Sequence, residues 1–358
     1  MLRESRKLQH IQQALKLQSE EIACSLLSEI KLIHNCLPEL DLADVVLATR
    51  FLNKKIAYPV VINALTGGSQ DVVEYNRKLA IIAEQLQIPI AVGSQFSAIE
   101  NTAMRKSFAI VRELNPNGIV IANIGAHANL KQAEEVVAMI NADALQIHLN
   151  PAQELIMQEG DRSFRGYLRN IETIVGSLKV PVIVKETGCG IYAEQLSQLL
   201  TIGVEYFDVG GCGGTNFLAI EAGRRNVQLE KELLTWGIPT AVSLAQASTM
   251  LASRQVLIAT GGIKTSMDIV RCLAMGADLT GMAMYFLNSI VQNKGIEDVL
   301  TEFRQLMEEV RTIMLLTGAK TSLELRCKQL HISGDLRAWL QTTNIDLAKF
   351  TQQRRCGQ

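Results

Sequence analysis

Eight short apolar, β-branched runs, each ending at a glycine or a polar side chain and each followed by a helical stretch, constrain this chain more than anything else in it. Residues 59–65 end at Thr66-Gly67-Gly68, 89–92 at Gly93-Ser94-Gln95, 118–122 at Asn123, and 144–147 at His148. Residues 181–184 end at Lys185-Glu186, 205–207 at Asp208, 255–259 at Thr260-Gly261-Gly262, and 278–280 at Gly281-Met282-Ala283. Near-continuous apolar strands alternating with helices mean a parallel sheet covered on both faces. Eight of them suggest closure into a (β/α)8 TIM barrel. A doubly wound open sheet would gather its ligand residues at one crevice, whereas here polar residues close all eight runs. The interval 210–254 is too long for one helix and is expected to include an ordered flap over the barrel mouth.

The flanks read differently. Residues 5–34 pattern as one or two amphipathic helices that Ser5 can cap, with Arg6, Lys7 and His10 on one helical face. From spacing alone that is a solvated basic face. Residues 35–57 show no clear period, and after Met284 the chain reads as helical to its end, with Gly318 a helix stop. One domain is expected: an N-terminal helical extension (1–57), the barrel core (58–290) and C-terminal helices (291–358). The 358 residues, 48% hydrophobic and 20% charged, can bury a sizeable core. A net charge of −1 leaves no footprint for nucleic acid or an anionic membrane, and no apolar run is long enough to span a bilayer. The seven scattered cysteines contain no Cys-x-x-Cys, which argues for a reducing compartment and against structural zinc or a disulfide framework. No signal peptide is visible, so a cytoplasmic location is expected.

The densest chemistry lies in Gln146-Ile147-His148-Leu149-Asn150-Pro151-Ala152-Gln153-Glu154. On an extended chain Gln146, His148 and Asn150 share one face, and Pro151 ends the strand. Gln153 and Glu154 then fall just beyond its carboxyl end. Five converging polar side chains cost stability unless water, a metal or a ligand satisfies them, the alternative for each being a hydrogen-bonded core or surface residue. Glu154 beside amides suits Mg2+, which keeps several waters and binds through one or two carboxylates plus substrate phosphate; zinc would want more His or Cys. Glu221, six residues past Thr215, is the other acid within reach of the mouth. Its bland alternative is a helix-surface partner for Arg224 or Arg225.

Three features suggest a phosphate-bearing cofactor. Thr260-Gly261-Gly262-Ile263-Lys264 and Gly281-Met282-Ala283 follow the last two strands, where such barrels hold phosphate against backbone N–H groups. Gly210-Gly211-Cys212-Gly213-Gly214-Thr215 offers a second close backbone approach. Lys185 brings a cation to the mouth. The alternative reading makes the glycines plain turns and Lys185 the partner of a neighbouring acid. No Gly-x-Gly-x-x-Gly or P-loop pattern occurs, so flavin mononucleotide fits better than a dinucleotide or a nucleoside triphosphate.

These residues resemble the flavin-dependent, type 2 isopentenyl-diphosphate isomerases over nearly the whole chain. The most specific stretches are 148–154 and Asp208-Val209-Gly210-Gly211-Cys212-Gly213-Gly214-Thr215-Asn216, supported by 64–68, 93–95 and Lys185-Glu186-Thr187-Gly188. The resemblance implies conversion of isopentenyl diphosphate to dimethylallyl diphosphate with reduced FMN, Mg2+ and NADPH or another reductant, in a homo-oligomer (tetramer or octamer). By position it implies that FMN is held by Ala64, Leu65, Thr66, Ser94, Asn123, Lys185, Thr215, Gly262, Ile263, Lys264, Ala283 and Met284. It gives the diphosphate to Arg6, Lys7, Ser94, His148 and Asn150, with Thr187 a further candidate and Gln153 also in the substrate site. Glu154 receives Mg2+, and Gln153 and Glu221 the proton transfers. Two departures stand out. Phe96 occupies a position where some relatives have Arg, for which Arg105 or Arg162 is the expected substitute, and Phe217 stands where some have Trp. Cys189 and Cys212 are read as small fillers. Two rival readings share the barrel: an FMN oxidoreductase acting on 2-hydroxy acids, and a non-catalytic sensor of flavin or prenyl diphosphate. The late loops lack the His that the first would need.

Overall fold

The computed structural model describes residues 13, 24–64, 66–69, 72–343 and 345–355. All eight expected strands form, and they close in chain order into one parallel barrel. They are Val60–Ile62, Ile90–Ala91, Val120–Gly125, Ala144–Leu149, Val182–Glu186, Tyr206–Asp208, Val256–Thr260 and Leu279–Met282. The eighth pairs with the first through Thr280↔Val60 and Met282↔Ile62, which completes the ring.

Each strand is buried on both faces, and the two faces do different work. Outward residues such as Val60, Ile62, Leu145, Ile147 and Leu257 join the large core shared with the surrounding helices. Inward residues Val61, Ala91, Ile121, Ala144, Ile183, Ile258 and Leu279 fill the lower barrel. Above that apolar plug the inward positions become polar: Asn63, Asn123, Gln146, Lys185 and Asp208, all buried. Register aligns them, with Asn123 opposite Gln146, Gly125 opposite His148, His148 opposite Lys185, and Lys185 opposite Asp208.

The segment before the barrel departs from expectation. Between residues 24 and 57 the chain forms short strands and 3-10 turns rather than a helix. Ile30–Leu32 pairs antiparallel with Leu330–Ile332, fastening the two flanks together. Thr49–Phe51 and Lys54–Ile56 form a hairpin whose Phe51 and Ile56 cap the bottom of the barrel plug. Its turn residues Leu52 (φ 47°) and Asn53 (φ 62°) both adopt positive φ, as a tight hairpin turn requires. Leu is an unusual choice there, so the turn leaves no sequence signal. Gly318 (φ 70°) does stop the helix Ile296–Leu316. Cys24, Cys36, Cys189, Cys212 and Cys272 are free. Among the described residues no helix is long and apolar enough to cross a membrane.

Candidate active site

The carboxyl-terminal face of the barrel opens into a cavity of about 360 Å³. Its floor is a chain of buried amides. Asn63 Nδ2 donates to Asp208 Oδ2 at 2.6 Å and to Thr260 Oγ1 at 2.9 Å. Gln146 Nε2 donates to Asn63 Oδ1 at 3.0 Å, and Asn123 Nδ2 to Gln146 Oε1 at 3.1 Å. His148 Nδ1 lies 2.9 Å from Asn123 Oδ1. Left unpaired, each of these buried groups would cost roughly 1–3 kcal/mol, so the network is a condition of placing polarity here at all.

Lys185 is buried beside this floor, and its Nζ donates to the Glu186 carbonyl oxygen at 2.7 Å. Burial raises the Asp208 pKa, against the opposing charge of Lys185. The Glu186 carboxylate accepts backbone N–H groups from Gly188 at 2.7 Å, Cys189 at 2.5 Å and Gly190 at 3.2 Å. Burial still pushes its pKa up to about 7, past the lowering effect of the Cys189 N–H and of Lys185. Gly210 (φ +47°) comes so close that a Cβ there would lie 2.0 Å from the Glu186 carbonyl oxygen. The loops after the fifth and sixth strands are therefore clamped together. Burial also raises the thiol pKa values of Cys189 and of Cys212, the latter to about 12, which keeps both protonated and agrees with a filler role.

One wall comes from two short helices in contact, Pro151–Ile156 and Phe217–Arg225. The first starts directly on Pro151, with Asn150 before it. Asn150 Nδ2 donates to Glu154 Oε1 at 2.9 Å and Gln153 Oε1 at 3.3 Å, while Glu154 Oε2 accepts the Asp161 N–H at 2.9 Å. Asn216 opens the second helix by accepting the Ala219 N–H at 3.0 Å. That helix buries Glu221 completely. Gln153 Nε2 donates to Glu221 Oε1 at 3.0 Å, and Arg224 pairs with Glu221 Oε2. Glu221 is therefore an arginine's partner, but a buried one and not a helix-surface one, and it does not itself line the cavity: Gln153 stands between.

The predicted residues converge to a large degree. Ala64, Thr66, Ser94 and Asn123 line the cavity from the first three strand ends, and Lys185, Thr215, Ala283 and Met284 from later ones. His148, Asn150, Gln153, Glu154 and Thr187 line it too. Arg6, Lys7 and Leu65 fall outside the described residues. Gly262, Ile263 and Lys264 are not brought to the lining: a Cβ on Gly214 would lie 2.8 Å from Gly262 N, so the two glycine loops approach backbone to backbone, and Lys264 is exposed.

The expected substitution of Arg105 or Arg162 for the missing arginine does not occur, since neither lines the cavity. Arg105 pairs with Glu135, and Arg162 donates to the carbonyl oxygens of Glu154, Met157, Gly160 and Asp161. Phe96 instead packs edge-on against His127, ring centres 4.7 Å apart at 74°, on the cavity wall. Asn63 and Asp161 also line the cavity and were not singled out. The only sequence signal for Asn63 is one amide ending the run Val60-Val61-Ile62.

Among the described residues no three His, Cys, Asp or Glu could hold a metal by themselves. Glu154 alone therefore suits only an ion that takes its remaining ligands from water and substrate, which is how Mg2+ binds. For a flavin, the hydroxyls of Thr66, Ser94 and Thr215, the Asn123 amide and the buried Lys185 ammonium supply donors around a cavity whose other lining includes Ala64 and Met284. That donor set fits a flat heteroaromatic ring carrying a phosphate.

Comparison with known proteins agrees with this chemistry. A family model described as FMN-dependent dehydrogenase matches residues 98–332. An isopentenyl-diphosphate delta-isomerase of Moorella thermoacetica is 46% identical over 337 residues, covering 94% of this chain and 95% of that protein. The enzymes of that name from Bacillus pumilus (42% identical, 98% of each chain) and Listeria monocytogenes (41% identical, 99% of this chain and 98% of that one) are similar throughout. Solved structures of a flavocytochrome b2 variant (TM-score 0.65, 18% identity, 89% of this chain and 80% of that one) and a mandelate oxidase variant (0.61, 15%, 86% and 88%) share the barrel fold. At full-length identities of this size to proteins of one name, the chain belongs to the isopentenyl-diphosphate delta-isomerase family, built on the barrel of the FMN-dependent dehydrogenases.

Proposed function

We propose that this protein isomerises isopentenyl diphosphate to dimethylallyl diphosphate, with reduced FMN as cofactor, Mg2+ on the diphosphate and no net redox change, as a step of isoprenoid biosynthesis. The observation that carries the reading is the Gln153–Glu221 pair, an amide on the cavity wall bonded to a fully buried carboxylate. The reaction adds a proton at one alkene carbon and removes one from another through a transition state with carbocation character. When bound, reduced FMN supplies an electron-rich ring able to stabilise that charge.

The chain's own residues divide the remaining work. Ala64, Leu65, Thr66, Ser94, Asn123, Lys185, Thr215, Ala283 and Met284 would hold the flavin, with Gly262, Ile263 and Lys264 behind the phosphate end. Ser94, His148, Asn150 and Thr187, with Arg6 and Lys7, would anchor the diphosphate and position carbons remote from it. Glu154 would meet Mg2+, with Asn150 Nδ2 and the Asp161 N–H orienting its carboxylate. Glu221, held by Arg224, would pass or accept a proton through the Gln153 amide. NADPH as reductant, a homo-oligomer of four or eight subunits and a cytoplasmic setting belong to the same reading.

The test is anaerobic incubation of the protein with isopentenyl diphosphate, FMN, NADPH and Mg2+. Dimethylallyl diphosphate formed only with reduced flavin, without stoichiometric loss of NADPH, is the expected result. Steady NADPH or oxygen consumption on 2-hydroxy acids with no isomer formed would replace the reading by an oxidoreductase. Tight binding without turnover would leave a sensor.

A further inference from the structure

Gln146 does not line the cavity, yet it is a fully buried amide in the middle of the barrel floor. We propose that Gln146 and Asn63 are positioning residues: with Asn123 they form a one-way amide chain that fixes His148 as its Nδ1–H tautomer. The inference rests on the reading of His148 as a diphosphate contact.

The direction of the chain can be read from an end that has no ambiguity. A backbone N–H can only donate. Ala64 N–H donates to the Asn63 side chain at 2.8 Å, so the atom facing it is Oδ1, and Nδ2 faces Asp208 and Thr260. Gln146 reaches the same Oδ1 at 3.0 Å, so it must present Nε2 there. Its Oε1 is then the atom 3.1 Å from Asn123, which must present Nδ2. That leaves Asn123 Oδ1 for His148 Nδ1 at 2.9 Å. An amide oxygen only accepts, so Nδ1 carries the proton. Each amide in the chain is at most 2% exposed, and flipping any one would place two donors or two acceptors face to face in the dry interior.

The consequence falls on Nε2. In strand register His148 is opposite Gly125, and a Cβ on Gly125 would lie 3.3 Å from His148 Nε2. That nitrogen therefore lies beside Gly125, on the other side of the ring from Nδ1, where the absence of a side chain leaves room. A substrate oxygen meets His148 through Nε2 and not through Nδ1.

The experiment uses the FMN-loaded protein labelled with 15N-histidine, at a pH about two units above the usual histidine pKa, where the ring is neutral. Two-bond 1H–15N spectra identify the tautomer, and loss of one signal set in His148→Gln assigns it. The expected result is the Nδ1–H pattern alone in the wild type, and a mixture or the Nε2–H pattern in Gln146→Met, which frees Asn123 to turn. Gln146→Glu should restore the wild-type pattern, because a buried carboxyl that keeps its proton donates through its hydroxyl to Asn63 Oδ1 and accepts through its carbonyl oxygen from Asn123. The KM for isopentenyl diphosphate should rise roughly tenfold in Gln146→Met, with kcat changed less, as for one hydrogen bond to an anion. An Nε2–H pattern in the wild type, or an unchanged pattern in Gln146→Met, overturns the proposal. If Gln146→Met does not fold, the wild-type spectrum alone still decides. The spectra require no turnover, so a protein with these tautomers but no isomerase activity would refute the functional reading and leave the amide chain standing.

Discussion

Replacing Gln153 by Asn tests the proton-handling pair with the least disturbance. The Gln153 amide lies on a short, half-exposed helix, and its Nε2 reaches Glu221 Oε1 at 3.0 Å. Asn is one methylene shorter, so the contact opens to about 4.3 Å, beyond hydrogen-bond range. An interior hydrogen bond to a charged group is worth roughly 1.5–3 kcal/mol, or about 10- to 150-fold in rate. A group that handles a proton in the transition state typically contributes about 10²–10⁴-fold. We expect kcat to fall by about a hundredfold or more. FMN affinity, set by other residues, should move by less than about threefold. The assay is product formation by mass spectrometry under saturating substrate, paired with an FMN fluorescence titration. Glu221→Gln keeps the size of the side chain and removes its charge, and it should give the same split. Near wild-type kcat in both variants refutes the pair as proton handlers. A matching loss of FMN binding refutes it as well, because the cavity itself would then have failed.

Further outcomes follow from individual residues. Glu154→Ala should raise the Mg2+ concentration for half-maximal activity by roughly tenfold or more, and an unchanged titration would take Glu154 out of the metal site. The Glu186 carboxyl titrates near 7 in the fold against a usual 4.5. An acid with a raised folded pKa binds its proton more tightly when folded, so its contribution makes stability decline as pH rises from about 4.5 to about 7, by about 3 kcal/mol in all. Urea denaturation across that range should flatten in Glu186→Gln, and an unaltered slope would clear Glu186 as the cause. Gly210→Ala adds a Cβ 2.0 Å from the Glu186 carbonyl oxygen at φ +47°. It should cost on the order of 2–4 kcal/mol, and an unmoved denaturation midpoint would mean that the loops have room to part.

What was legible in the sequence followed from local periodicity. The barrel was readable because each parallel strand is buried on both faces, so apolar runs such as Val182-Ile183-Val184 stand out against the helices around them. Most site residues were readable because they sit where those runs end. The hairpin at Thr49–Phe51 and Lys54–Ile56 was not, since three-residue strands and a Leu-Asn turn carry no recognisable pattern. The substitution of Arg105 or Arg162 failed because charge alone does not say which partner a guanidinium will find. Glu135 and four backbone carbonyls had prior claim.

By itself, then, the sequence determined the number of strands, their parallel order and the end of the barrel that bears polar groups, since all three depend on contacts between near neighbours in the chain. Only the tertiary structure decided which apolar residues face the barrel interior, because both faces look alike until the ring closes. It alone set Gln153 against Glu221, 68 residues apart, and ran Asp208, Asn63, Gln146, Asn123 and His148 into one line. Those contacts arise from strand register and helix packing across the closed barrel, and in a dry interior only a polar group with a correctly oriented partner is tolerated.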